Sequence, residues 1–262
     1  SAILMPYGSM YPIHPKAATI PACALHTRGS SMPDMYEIYQ HHADRYDALV
    51  SAEDADGNLG KVLDELVNWN EAQVLEAGVG TGRITSYYID RVAHATLCDR
   101  STHMMAVAEE RFLTRADKLS FVPADNFALP GLSQPADVFV EGWSFGHTIS
   151  DHPGSVRRTT LRLMHEVERS LRPGGVALII ETLGTNCDEP APPSEALASF
   201  YQTLERSHGF KRREISNDFL FSSTEEAADA LGFFFGEEMR QAVLTRGTSR
   251  VPSWTGVWWR RF

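Results

Sequence analysis

The stretch that most constrains this chain is Val74-Leu75-Glu76-Ala77-Gly78-Val79-Gly80-Thr81-Gly82-Arg83. An apolar run of strand character leads straight into glycines at alternate positions, and a stretch of helical character follows. Glycine accepts positive φ and leaves bare backbone that a ligand can approach; a purely structural turn needs one such residue and rarely three. Backbone N–H groups at the start of the following helix can receive an anionic group. The segment therefore predicts a strand–loop–helix unit built around a ligand.

The flanking sequence alternates in the same way. Gln73–Ala77 reads as a strand, 83–91 as a helix, 95–99 as a strand and 102–113 as a helix. Residues 119–122 and 136–141 read as two more strands. A helix over 156–171 stops at Pro173-Gly174-Gly175, and 176–182 is a fully apolar strand. Strands that are apolar on both faces and separated by helices call for a parallel sheet covered on both sides. With right-handed crossovers the fold class is α/β, a Rossmann-like doubly wound, mostly parallel sheet of about seven strands. Beyond it, 194–208 and 224–245 read as helical and 213–221 as a strand. Residues 256–262 read as a closing strand, antiparallel because it follows a long insertion and not a simple crossover helix.

At 262 residues the chain suits one such domain with embellishments. Residues 1–31, rich in Pro, Ser and Ala, read as an arm, mobile or draped over the domain. Residues 32–262 read as a single domain, with an N-terminal lid over 32–70 and an insertion over 222–250. The lid contains Tyr36, Tyr39, His42 and Tyr46 at helical spacing, an aromatic stripe that suits either a core face or a cover for the ligand.

A formal charge of −10 opposes non-specific binding to nucleic acid. No apolar run reaches the length of a membrane span, and prolines 6, 12, 15 and 21 interrupt any signal-peptide core. Cys23, Cys98 and Cys187 are odd in number and widely spaced, which suggests neither a disulfide framework nor a metal site; Cys98, in an apolar run, reads as a small core hydrophobe. The expected setting is cytoplasmic, with no nucleic-acid, membrane or metal partner, as a monomer or homodimer.

The ligand class follows from spacing. A dinucleotide fingerprint places its glycines at 78, 80 and 83, but the third lies at Gly82 and position 83 is Arg83. An acid at the end of the second predicted strand, Asp99, stands where its carboxylate can accept ribose hydroxyl protons; Ser101 is available to cap the next helix in its place.

The pattern Glu76-x-Gly78-x-Gly80-x-Gly82 after a strand resembles motif I of the class I S-adenosylmethionine-dependent methyltransferases, of the small-molecule type. Three further segments are similar to that family: Pro123-Ala124-Asp125-Asn126-Phe127, Ala136-Asp137-Val138-Phe139-Val140-Glu141-Gly142-Trp143, and Leu171-Arg172-Pro173-Gly174-Gly175 before the fifth strand. The resemblance spans roughly residues 74–182. It implies S-adenosylmethionine as cofactor and S-adenosylhomocysteine as product. Glu76, the three glycines, Asp99 and Glu141 would then belong to the cofactor site, and Asp125 and Asn126 would flank the adenine. A simple turn at those two residues competes with the adenine role. Tyr46, in a Tyr-Asp pair before motif I, would cover the cofactor, with Tyr39 and His42 beside it.

A small-molecule acceptor would lie beyond the carboxyl ends of the strands, where Trp143, Phe145 and His147 follow the fourth strand. His147 is the candidate general base, against a mainly structural role. Phe233, Phe234 and Phe235 anchor the insertion or line the acceptor pocket. Two alternatives remain open: a nicotinamide-dependent oxidoreductase on the same fold, which lacks a recognisable Tyr-x-x-x-Lys pair here, and a non-catalytic nucleotide-binding protein.

Overall fold

The computed structural model of the protein describes residues 35–262, apart from the side chains of Met35, Tyr36 and Gln40. The predicted arm and the first residues of the predicted lid, 32–34, lie outside the described residues. The strands are β1 (Gln73–Ala77), β2 (His94–Asp99), β3 (Leu119–Pro123), β4 (Ala136–Gly142), β5 (Leu171–Thr185), β6 (Lys211–Ser216), β7 (Phe219–Leu220), β8 (Arg250–Val251) and β9 (Ser253–Arg261). Seven of them form one sheet in the order β3-β2-β1-β4-β5-β9-β6, and β7 and β8 make a separate ribbon. Every pairing from β3 to β5 is parallel, and β9 runs antiparallel to both β5 and β6. The sheet class and the direction of the last strand are as the sequence predicts.

Successive residues of a strand point to opposite faces, which divides the apolar residues into two cores. Val74, Val140, Leu178 and Val257 join Leu59 and Leu63 of α3 (Asn58–Leu66), Tyr88 of α4 (Thr85–Tyr88) and Met105 of α5 (Thr102–Arg111). Leu75, Phe139, Ile179 and Trp258 face the other way. They meet Phe145 of α6 (Phe145–Ser150), Leu163 of α7 (Val156–Ser170) and Phe200 of α8 (Glu195–His208). Trp258 and its neighbour Trp259 fall on opposite faces, as period two requires. Cys98 is buried among the second core's residues, and burial pushes its thiol up to about 12.

The N-terminal segment is two helices, α1 (Met35–His41) and α2 (Ala43–Ser51), because His42 leaves helical geometry at φ −133°. The helix expected over 83–91 contracts to α4 flanked by turns. The helix expected over 224–245 is divided into α9 (Thr224–Phe235) and α10 (Glu237–Arg246) by Gly236 at φ 101°. The strand expected over 213–221 also divides. Asp218 accepts the Ser216 hydroxyl, the Ser253 N–H and the Arg250 guanidinium, and these local bonds take the chain out of the ladder. After it, β7 pairs with β8. A third apolar cluster of Leu49, Phe219, Leu231, Met239, Val243 and Val251 fastens α9 and α10 to α2. Among the described residues no helix is long and apolar enough to cross a membrane.

Candidate active site

The carboxyl ends of β1, β2, β4 and β5 lie side by side, and the glycine loop leaves β1 at their centre. Gly78, Gly80 and Gly82 all have positive φ, at 71°, 54° and 87°. Their surroundings differ. A Cβ at Gly78 would stand 2.2 Å from Ser144 Cβ, and one at Gly82 would stand 2.4 Å from Phe112 Cε2. At Gly80 the nearest side-chain atom is 3.7 Å away, an ordinary contact. Two of the glycines are therefore demanded by protein packing, and Gly80 is the one that leaves its backbone approachable.

Asp99 sits next to this opening. Its Oδ2 accepts the Gly80 N–H at 2.8 Å and its Oδ1 accepts the Ser101 N–H at 2.8 Å. A carboxylate offers about four acceptor positions, so these bonds do not exhaust it. The predicted cap is present as well: Ser101 Oγ receives the Met104 N–H at the start of α5, which frees Asp99 from that duty. Burial raises the Asp99 pKa, against the lowering effect of those backbone N–H groups.

Two of the acids expected at the cofactor, Glu76 and Glu141, are buried and bonded to protein groups. Glu76 is 1% exposed beneath the loop, where its Oε2 accepts Thr85 Oγ1 at 2.8 Å and the Tyr88 hydroxyl. Burial pushes its carboxyl up to about 7. These partners make it a brace between β1 and α4. Glu141 is fully buried, and its Oε1 accepts the N–H groups of Ser144 at 2.5 Å and Phe145 at 2.8 Å. Neighbouring Glu181 of β5 accepts the Gly146 N–H at 2.5 Å. Two sealed carboxyls thus cap the first turn of α6. Burial, and for Glu141 the charge of its neighbour, push both pKa values upward. Phe145 also departs from expectation: it is fully buried against Phe139 in the core and lines no surface that an acceptor could reach.

Asp125 is exposed and closes a turn by accepting the Phe127 N–H at 2.8 Å. Asn126 reaches α6, where its Nδ2 donates to Ser144 Oγ at 2.8 Å and Thr148 Oγ1 at 3.0 Å. The turn geometry is realised, and the exposed Asp125 keeps its second oxygen for other work.

The lid and the insertion converge over the site. Tyr39 OH lies 3.0 Å from His147 Nε2, and the Tyr39 ring meets Tyr46 edge-on at 5.3 Å. Phe234 packs on both tyrosines, while His42 and Arg45 pack on Phe233. The N-terminal segment is tied to the glycine loop by Thr81 Oγ1, which donates to Asp47 at 2.7 Å. Ser101 Oγ ties it to β2 by donating to the Tyr39 carbonyl at 3.1 Å. Burial raises the Tyr46 hydroxyl well above its usual range, although Arg83 opposes the shift.

The sequence reading missed Arg83 as a site residue, along with Glu53 and Asn217. Arg83 Nη1 pairs with Glu53 Oε2 at 2.5 Å, its guanidinium stacks 4.2 Å above Trp143, and Asn217 Nδ2 donates to Glu53 Oε1. Trp143 holds positive φ at 54°, a conformation that bulky residues seldom adopt without a reason from their surroundings. A charged residue directly after the glycines was the available signal. Glu53 and Asn217 are separated by 164 positions and carried none.

A seven-stranded sheet with β9 reversed is the architecture of the class I methyltransferases. The comparisons with known proteins agree. A family described as a methyltransferase domain matches residues 74–175. A Staphylococcus carnosus protein named as an uncharacterized methyltransferase is 30% identical over 155 residues, 57% of this chain and 69% of that protein. The chain belongs to this methyltransferase family. Among solved structures, one from Bacillus halodurans titled as a methyltransferase covers 78% of this chain and 98% of its own, at TM-score 0.53 and 14% identity. A DhpI–SAH complex covers 85% of this chain and 93% of its own, at TM-score 0.52 and 15% identity. These two likenesses bear on the fold.

Proposed function

We propose that this chain binds S-adenosylmethionine at the β1–β2 opening and transfers its methyl group to a small-molecule acceptor by in-line displacement. The observation that carries the reading is Asp99, tied to the Gly80 amide and with acceptor positions to spare beside the one approachable glycine. In this reading Asp99 holds the ribose hydroxyls, the Gly80 backbone lies against the cofactor, and the exposed oxygen of Asp125 accepts from the adenine amine. Glu76 supports the loop from below and Tyr46 covers it from above. The cofactor supplies an electrophilic methyl on a sulfonium.

The protein's part is to hold the acceptor in line and exclude water, which contributes on the order of 7–11 kcal/mol at best. The lid (32–70) and the insertion (222–250) serve that end within one domain over 32–262, since Phe234 joins them across Tyr39 and Tyr46. His147, with Tyr39 OH on its Nε2, stands next to this enclosure. It is the side chain placed to take a proton from an acceptor that still carries one. The acidic composition and the aromatic cover both favour a small acceptor over nucleic acid.

Thermal unfolding with S-adenosylmethionine, S-adenosylhomocysteine and NAD tests the cofactor reading. A ligand of the native state raises the melting temperature, by roughly 2.7 kcal/mol of stabilisation at a hundred times its Kd. The first two should stabilise the protein and NAD should not. Stabilisation by NAD alone would overturn the reading in favour of an oxidoreductase.

A further inference from the structure

The cluster around Arg83 has a hydrogen-bonding inventory that does not close. Glu53 is satisfied on both oxygens, by Arg83 Nη1 and by Asn217 Nδ2. Arg83 Nη2 and Asn217 Oδ1, the outer atoms of the same two side chains, are buried and have no hydrogen-bond partner among the described residues. Asn217 is 1% exposed, and the side chains of Arg83 and Glu53 are 14% and 10% exposed. Exchanging Oδ1 and Nδ2 of Asn217 would aim an acceptor at the Glu53 carboxylate, so the orientation is fixed by its partner. A buried donor and a buried acceptor left unpaired each carry a desolvation penalty that a ligand or ordered water would relieve.

The cluster also has a place. Trp143, which follows β4, is the floor on which Arg83 stacks, and Tyr46 is close enough for the Arg83 charge to act on its hydroxyl. Asn217 follows β6 at the same end of the sheet, with its N–H on the Ser253 carbonyl. The unpaired atoms thus belong to the carboxyl-end face of the sheet, the face that the glycine loop also occupies.

We propose that Arg83, Glu53 and Asn217 form a receptor for an α-amino-acid head group, a carboxylate beside an ammonium. The carboxylate meets Arg83 Nη2, in a charge-assisted bond of the kind that planar guanidinium favours. The ammonium donates to Asn217 Oδ1 and is balanced by Glu53. An ion pair with one open donor and one open acceptor fits a zwitterion, where a lone arginine would select any anion. Two molecules carry such a head: the methionyl end of the cofactor, and an amino-acid acceptor. The proposal rests on the cofactor reading above.

Calorimetric titration with S-adenosylhomocysteine and with 5′-methylthioadenosine, which lacks the amino-acid head, separates these cases. The double variant Glu53→Gln/Arg83→Gln removes both charges together, so that no lone charge stays buried. If the head is the cofactor's, the wild type prefers S-adenosylhomocysteine by roughly tenfold or more. The variant then loses that preference while keeping its affinity for methylthioadenosine. If the preference survives, the wild type saturated with S-adenosylhomocysteine is titrated with glycine, L-serine and L-glutamate. Saturable binding that the variant lacks assigns the head to the acceptor. An unchanged preference with no amino-acid binding overturns the proposal and leaves the cluster a structural ion pair with ordered water. Failure of the wild type to bind either nucleoside defeats the cofactor reading instead. Should the double variant not fold, Asn217→Leu makes the same comparison, with a narrowing of roughly three- to tenfold.

Discussion

Two pairs of acids stand at the carboxyl ends of neighbouring parallel strands, and they do different work. At β1 and β2 are Glu76 and Asp99; at β4 and β5 are Glu141 and Glu181. What lies above each pair decides the outcome. Helix α6 starts over β4 and β5, and the N–H groups at its start bond Oε1 of Glu141 and Oε1 of Glu181. At the end of β2 the Gly80 amide of the glycine loop takes one Asp99 acceptor position and the Ser101 amide, at the N-cap of α5, takes another. Glu76 lies on the first strand but faces inward, onto Thr85 and Tyr88. Glu141 and Glu181 are therefore helix caps, Glu76 is a brace under the loop, and Asp99 is the acid to which the proposed site gives a ligand.

The comparison is most severely tested at Glu141. Glu141→Ala leaves the buried Ser144 and Phe145 amides without an acceptor, at a cost of about 3 kcal/mol or more. That should lower the melting temperature by roughly 6–12 °C. Glu141→Gln keeps an acceptor oxygen without a charge and should lie within a few degrees of the wild type. Equal losses in the two variants would show that charge, and not the cap, is what matters there. Asp99→Asn reverses the pattern. It should weaken S-adenosylhomocysteine binding by roughly 10–100-fold in calorimetry, because charge-assisted bonds to the diol are lost, while melting falls by only a few degrees for the one backbone N–H that loses its acceptor. Unchanged affinity would remove Asp99 from the site.

The smallest effect is in pH. The folded pKa values of Glu76 and Glu181 are both raised to about 7 from an ordinary 4.5. The folded protein therefore holds protons that the unfolded chain releases. This stabilisation is complete below about pH 4.5 and is lost as pH rises through about 7. Glu181→Gln, which never ionises, should gain stability relative to the wild type across that window, on the order of 1–3 kcal/mol. Glu76 continues to contribute its own part of the slope. A constant difference between the two proteins from pH 4.5 to 7.5 would mean that Glu181 is ionised in the folded state.

Part of this architecture is legible in local chemistry alone. Periodicity located the parallel strands, because a strand buried on two faces must be apolar throughout. Ser101 as cap and Asp99 as strand-end acid could be assigned from their order along the chain. Phe145 and Glu141 could not. Both follow or end β4 and both look like site residues in one dimension, yet the short helix α6 turns the phenyl ring into the core and folds its amides onto the carboxyl. The break of the 213–221 strand was equally invisible, since it depends on Arg250 and Ser253 reaching Asp218 from another part of the chain.

The glycine loop shows where the division falls. The sequence by itself determined that three residues at 78, 80 and 82 take conformations open to glycine, and that a strand and a helix flank them, because φ preferences and periodicity are local properties. Only the tertiary structure decided why each must be glycine. Ser144 crowds the first, Phe112 crowds the third, and the second is left open beside Asp99. The same holds for Arg83, whose partners Glu53, Trp143 and Asn217 come from three distant segments. A burial cost and an unpaired hydrogen bond exist only once those segments have been brought together.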